Sequence, residues 1–303
     1  MMASTAASPT TTTPSRTPGS AAQALALNLR QGLRRLLRNP MTLAGVLVIA
    51  LMLLVALFAP WIATHDPFEQ NLKQALRAPS HANWFGTDEY GRDIFSRLVH
   101  GSRISLYVIA LVTVIVGPVG LAVGSMAGYF GGWVDNLFMR ITDIFISFPS
   151  LVLALAFVAA LGPGLDHAVI AIALAAWPPI ARLARAEALS LRHADYVIAA
   201  QLQGASSARI LARYIAPMLM SSVVVRLTMN MANVLLIAAG LGFLGLGAQP
   251  PAPEWGAMIS SGRRYMIECW WLVAAPGLAI MLVSLAFNLI GDGLRDVLDP
   301  RSE

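Results

Sequence analysis

"LAGVLVIALMLLVALFAPWI", residues 43–62, contains no charged side chain and a single proline, Pro60. At 1.5 Å per residue, twenty residues of helix span about 30 Å, the thickness of a bilayer's hydrocarbon core. The rest of the chain is consistent with a membrane protein. Of its 303 residues, 57% are hydrophobic and 12% charged, and the mean hydropathy is +0.66, outside the range of ordinary soluble domains. Comparable runs at 106–129, 137–161, 168–183, 218–245 and 271–290 predict six transmembrane helices. Long apolar runs, rather than short alternating segments, exclude a β-barrel. The expected fold class is an all-α polytopic membrane protein.

The same reading divides the chain. Residues 1–22, rich in Thr, Ser, Pro and Ala, cannot bury a core and are expected to be disordered. No signal peptide is evident. In 23–40, Leu25, Leu29, Leu33, Leu36 and Leu37 recur at helical spacing between Arg30, Arg34, Arg35 and Arg38, which predicts an amphipathic helix on the cytoplasmic surface. A first span (41–62), an extracytoplasmic segment (63–103), a five-helix core (104–290) containing a cytoplasmic loop at 184–217, and a tail (291–303) follow.

Six crossings put both termini on one side of the membrane. If that side is cytoplasmic, the inner segments hold 13 of the basic residues and the outer segments 7, with Arg226 inside the fifth span. The positive-inside bias supports both termini being cytoplasmic. The net charge of +5 does not point to nucleic acid, because every basic residue except Lys73 is an arginine and the arginines flank the apolar runs.

Little in the sequence suggests bond-making chemistry. A single cysteine, Cys269, rules out an intrachain disulfide. The five histidines are scattered, so no metal site is expected. No glycine-rich loop ends in Gly-Lys-Ser/Thr, so ATP, if used, is hydrolysed by a partner. A membrane enzyme is disfavoured by the lack of a nucleophile or metal constellation. An ion-coupled carrier is the other alternative, but charge within the spans amounts to Arg226 and the end-lying Arg140, Asp143 and Asp292. Arg226 either snorkels to the inner interface or lines a path with Asn230 and Asn233; those asparagines could equally make interhelical hydrogen bonds.

Three polar or irregular segments interrupt this pattern. Residues 84–106 combine glycines with Asp88, Glu89, Arg92 and Asp93, a self-paired turn that would fix the start of the second span. Residues 241–265 are dense in Gly and Pro, and irregular backbone at a membrane face needs cover from protein or water. The third, "HADYVIAAQLQGASSARILARYIAPML" at 193–219, predicts a rigid helical hairpin. Gly204 supplies a left-handed cap, Ser206 caps the next helix, and Ala199, Ala200 and Ala205 allow close approach of a partner.

"FGTDEYGRDIFSRLVHGSRISL" (85–106), "WPPIARLARAEALSLRHADYV" (177–197), "FLGLGAQPPAPEWGAMISSGR" (243–263) and "PGLAIMLVSLAFNLIGDGLRDVLDP" (276–300) occur in an order that resembles the C-type permease subunits of bacterial ABC importers for dipeptides, oligopeptides or nickel. The likeness runs from about residue 25 to the end. Ala199, Ala200, Gly204 and Pro217 match the permease signature, while Ile198 stands where the family has glutamate. That departure bears on a polar contact with the ATPase and leaves the shape of the hairpin intact.

The resemblance implies a type I ABC importer permease fold in the bacterial inner membrane. It implies transport of di- or oligopeptides or a related small solute rather than enzymatic activity. The implied partners are a homologous second permease, two ATPase subunits that carry the ATP and Mg, an extracytoplasmic solute-binding protein and the lipid membrane, with no cofactor on this chain. The implied ATPase-coupling residues are Glu187, Arg192, Asp195, Tyr196, Ala199, Ala200, Gly204, Ala205, Ser206, Arg209 and Pro217. The candidate path residues, read from the fifth span itself, are Arg226, Asn230 and Asn233.

Overall fold

The computed structural model describes residues 39–298. The expectations for 1–22, for 23–40 up to residue 38, and for the end of the 291–303 tail lie outside the described residues.

Helix α1, Pro40–Leu57, starts where the Asn39 side chain accepts a hydrogen bond from the Met41 amide and proline occupies the first turn. A short α2, Ala59–Ile62, follows. Helix α3 runs from Ile94 to Phe130, 37 residues, and ends at Gly131. It begins well before the expected 106, because Asp93 caps it: one carboxylate oxygen accepts from the Ser96 amide at 2.8 Å and hydroxyl at 2.7 Å. Arg97, His100 and Arg103 therefore sit on the first turns of a long helix rather than in a loop.

The third apolar run, expected as one helix over 137–161, is broken. Helix α4, Gly132–Ile146, and α5, Ser150–Leu161, meet at 93° across Ser147–Pro149. Proline disfavours helical backbone in the residue before it, which makes Phe148-Pro149 the corner.

The Pro178-Pro179 pair interrupts the fourth apolar run at Trp177, dividing it into two helices. Helix α6, Leu165–Ala176, and α7, Pro178–Leu191, together form one 27-residue span with both prolines in the first turn of α7, where a missing amide hydrogen costs little. Next come α8, Asp195–Leu202, and α9, Ser207–Ile210. One π-helical turn, Leu211–Ile215, leads into α10, Ala216–Phe243. Helices α11, Trp255–Gly262, and α12, Trp271–Leu298, complete the described chain, α12 continuing beyond the expected end at 290.

Among the described residues five helices are long and apolar enough to cross a membrane, and the bent α4/α5 pair makes a sixth crossing if counted as one span. The span α6–α7 is central, with 67% of its most apolar window buried, against 22% for α1. Its closest partner is α3. Small residues allow this: a β-carbon on Gly124 would lie 2.7 Å from the Ala184 β-carbon and 2.9 Å from the Arg185 nitrogen. In membranes, where lipid is as apolar as leucine, such close backbone approach is a main source of helix association. Helix α1, with Leu47, Leu51, Leu54 and Leu57 exposed, lies at the edge against α12 and α3.

Candidate functional site

The loop between α7 and α9 caps one end of the bundle, the hairpin end. Helix α8 finishes in a Schellman motif. The Ala205 amide donates to the Ala200 carbonyl at 3.0 Å, and the Gly204 amide donates to the Gln201 carbonyl at 2.9 Å. Gly204 has φ +78°, the left-handed conformation the sequence predicts, and nothing lies within 4 Å of where a β-carbon would project. Ser206 caps α9 by accepting from the Arg209 amide at 3.4 Å. Two consecutive caps leave the turn few alternative conformations, so the hairpin is rigid by local chemistry alone.

One face of the hairpin anchors it and the other is uncovered. Val197, Ala200 and Ile210 are buried against the bundle. Gln201 donates to the Tyr129 hydroxyl at 3.4 Å, and Arg192 donates to the Gly128 carbonyl at 3.4 Å, both at the end of α3. Behind it, Arg185 makes a two-point contact with Asp135, at 2.8 and 2.6 Å, and Arg182 reaches Asp143 at 2.5 Å, so α7 and α4 are pinned together. The opposite face presents Tyr196, Ile198, Ala199 and Leu202 to solvent, the last 85% exposed. Asp195, Ser206, Arg209 and Pro217 are also exposed, and Ala205 is half-buried. Asp195 sits in the first turn of α8, where a negative charge suits the helix dipole.

Glu187 departs from this group. It lines a cavity of about 430 Å³ at the hairpin end with Leu183, Ser222, Arg226, Met229 and Arg295. On α10, Arg226 and Asn233 are exposed and Asn230 half-buried, at i, i+4 and i+7 on one stripe. A charged and an amide side chain uncovered on an apolar span need water or protein beside them, since lipid satisfies neither. Sequence reasoning passed over Arg295 and Ser222. Ser222 lies one turn before Arg226 on α10, whereas Arg295 becomes its neighbour only when α12 packs on α10, and no local pattern announces that.

The far end is built from 63–93 and 244–270. Asp88 accepts from the amides of Tyr90 and Arg92, each at 2.9 Å. Its second oxygen pairs with Arg92 Nε at 2.6 Å and Arg97 Nε at 3.6 Å. All three residues are buried. The self-pairing expected of this turn is thus between Asp88 and Arg92, while Asp93 serves as the helix cap. Arg97 also donates to the carbonyls of Pro67 at 3.1 Å and Pro251 at 3.4 Å, drawing both irregular segments onto α3.

Glu254, a buried residue in the second of those segments, caps α11 by accepting from the amides of Gly256 and Ala257 at 2.8 and 2.7 Å. Burial outweighs these two bonds and raises its pKa from 4.5 to about 7. The native state therefore holds this proton more tightly than the unfolded chain. Stability from this group is fully present below about pH 4.5 and is lost as pH rises through 7, by about 3 kcal/mol in total. In detergent, the purified protein is expected to melt at a lower temperature at pH 8 than at pH 5, with the difference shrinking in Glu254→Gln. An unchanged pH dependence in that variant would remove Glu254 as its source.

Comparison with known proteins is consistent with this architecture. Residues 120–303 match the family described as binding-protein-dependent transport system inner membrane component, and residues 28–79 match the N-terminal TM domain of oligopeptide transport permease C. The dipeptide transport system permease protein DppC of Alkalihalophilus pseudofirmus is 44% identical over 90% of this chain and 90% of its own length. The di/tripeptide transport system permease protein DppC of Pseudomonas aeruginosa is 46% identical over 87% of this chain and 89% of its own. In fold, the chain is similar to a structure of the MetNI methionine ABC transporter in inward-facing conformations, with a TM-score of 0.54 and 20% identity, covering 66% of this chain and 96% of that one.

Proposed function

The chain belongs to the family of binding-protein-dependent transport system inner membrane components, and from that premise we propose that it forms half of the translocation pathway of an ATP-driven importer of short peptides. Two relatives named for dipeptide and di/tripeptide transport, each similar over nearly its full length, support the substrate class. A homologous second permease supplies the other half, two ATPase subunits carry the ATP and Mg, and an extracytoplasmic binding protein delivers the peptide. Both termini and the hairpin face the cytoplasm, and the far end faces outward, in keeping with the arginine bias.

The observation that carries the coupling assignment is the doubly capped hairpin with Tyr196, Ile198, Ala199 and Leu202 uncovered. A rigid knob with an apolar face fits a cleft in an ATPase and passes its movement to α7 and α10, which it joins. Ile198 in place of the family's glutamate makes that face more apolar, so contact there relies on packing rather than a charge. ATP drives the cycle only through its different affinities for the two states of the assembly. The stripe of Arg226, Asn230 and Asn233 is assigned to the path, which gives these polar groups the water or partner they need. An ion-coupled carrier is not favoured, since members of this family depend on a binding protein.

Gly204→Val tests the hairpin. A β-branched residue at φ +78° carries backbone strain of about 1–3 kcal/mol, yet the open space around Gly204 means that no bundle contact is disturbed. Membrane levels are expected to match wild type, while uptake falls at least tenfold and ATPase subunits are lost on purification. Gly204→Ala is expected to be milder. Normal uptake with normal ATPase retention in Gly204→Val would show that the hairpin is not the coupling element.

A further inference from the structure

At the far end an open cavity of about 550 Å³ lies between the Glu89-Tyr90 turn and the segment 242–265. Its volume lies in the range of small-molecule sites. Glu89 lines it, as do Arg263 and Arg264, with Tyr90 and Tyr265 beside them. Small residues, Gly242, Gly245, Ala248 and Ala257, leave the remaining wall open.

The charges of this cavity are unusual in being complementary and unused. Among the described residues no ion pair within 4 Å joins Glu89 to either arginine, and neither arginine has a carboxylate partner. Arg263 is held only by its stacking over the Phe243 ring, 5.4 Å from the centroid. One oxygen of Glu89, Oε2, is sealed from solvent with no hydrogen-bond donor. Buried carboxylate oxygens in native proteins are nearly always satisfied, so an orphan calls for a missing donor. Glu89 is half-buried and lines the cavity, and the terminal torsion of glutamate is soft, so its carboxylate can turn between the sealed side and the cavity. Tyr90 is steadied from behind by Arg92, whose guanidinium lies 4.7 Å from its ring centroid.

The geometry points to a receiving subsite for the zwitterionic backbone of a short peptide, with Glu89 taking the α-ammonium and Arg263 and Arg264 taking the carboxylate. The assignment rests on the peptide-import reading above and adds a place where this chain itself holds the solute. A lone anion leaves Glu89 unexplained. Since the two walls come from separate segments, a change in their spacing takes hold of or releases both ends of the peptide together.

The test is photolabelling of the complete transporter, without its binding protein, by alanyl-photoleucine. Label is expected on the segments containing Tyr90 or Tyr265. Alanyl-leucine should compete at least tenfold better than its N-acetyl or C-amide form. Glu89→Gln is expected to abolish discrimination against the N-acetyl peptide only, and Arg264→Gln, at an exposed position that leaves folding intact, discrimination against the amide only. Label elsewhere, equal competition by blocked peptides, or a loss of binding-protein affinity in Arg264→Gln with labelling unchanged would each overturn the subsite; the last would make this a protein-docking surface. Uptake of dipeptides by wild-type proteoliposomes supplied with ATP and binding protein is measured in parallel. Uptake without labelling removes the subsite alone, and absence of uptake across a dipeptide panel removes the peptide reading and the subsite with it.

Discussion

Leucine at position 124 is expected to cut the yield of folded transporter sharply. Gly124 faces backbone and the Ala184 β-carbon, not the flexible end of a long side chain, so neither α3 nor α7 has an atom that can swing aside. Overpacking of this kind costs about 3 kcal/mol where the neighbours cannot yield. At about 1.4 kcal/mol per tenfold, the ratio of folded to unfolded chain drops roughly a hundredfold. Gly124→Ala is expected to be intermediate. Gly277→Ala is the matched control: it is also a helical glycine, but nothing lies within 4 Å of its would-be β-carbon, and the helix gains up to about 1 kcal/mol from the change. Monodisperse yield on size-exclusion chromatography at matched expression is the measurement. Equal yields from Gly124→Leu and Gly277→Ala would mean that α3 and α7 separate without cost and that the small-residue seam does not hold the core.

Asp88→Asn is the second large effect, and it is local. Removing the negative charge leaves Arg92 and Arg97 buried beside each other with no anion between them, and breaking a buried pair from one side typically costs about 3–5 kcal/mol. The asparagine oxygen can still accept from the amides of Tyr90 and Arg92, so the defect is electrostatic rather than a lost turn. Amide exchange in residues 71–92 is expected to accelerate at least a hundredfold while α6 and α7 remain protected. Adding Arg92→Met should restore part of the protection, because it removes one of the two opposed charges. If the double variant exchanges faster than Asp88→Asn alone, charge burial is not the cause.

Local rules made much of this molecule legible in advance. The helix caps of the hairpin depend on residues within six positions of one another, and Gly204 and Ser206 carry them in any context. The first span, 43–62, is fixed by apolar length alone, although Pro60 places a break at Phe58 and a separate α2. The third run shows the limit of that reasoning. An apolar stretch reads the same whether straight or bent, and the corner is written only in Phe148-Pro149. The second and sixth spans were read too short for a common reason: Arg97, Arg103, Asp292 and Arg295 look like loop residues until neighbouring helices and irregular segments provide partners or water. Glu187, placed among the coupling residues by the resemblance, lines the cavity with Arg226 rather than the uncovered face of the hairpin. Glu254 is the clearest omission. A carboxylate in a Pro-rich run before Trp-Gly resembles any solvated loop acid, and only burial by α3 and α10 distinguishes it.

The span from Ser207 to Phe243 is 37 residues of nearly continuous helix, a stiff rod about 55 Å long, roughly twice the thickness of the hydrocarbon it crosses. Its one end is the hairpin and its other reaches the wall of the far-end cavity at Gly242. A rod pivoted at mid-membrane behaves as a see-saw: a tilt of about 10° carries each tip about 5 Å in opposite directions. No relay of side-chain rearrangements is then needed to connect the hairpin end to the far end, and the two cavities cannot both widen by the same tilt. Spin labels at the two tips, each paired with a fixed reference on α6, would therefore report distance changes of opposite sign from a single event.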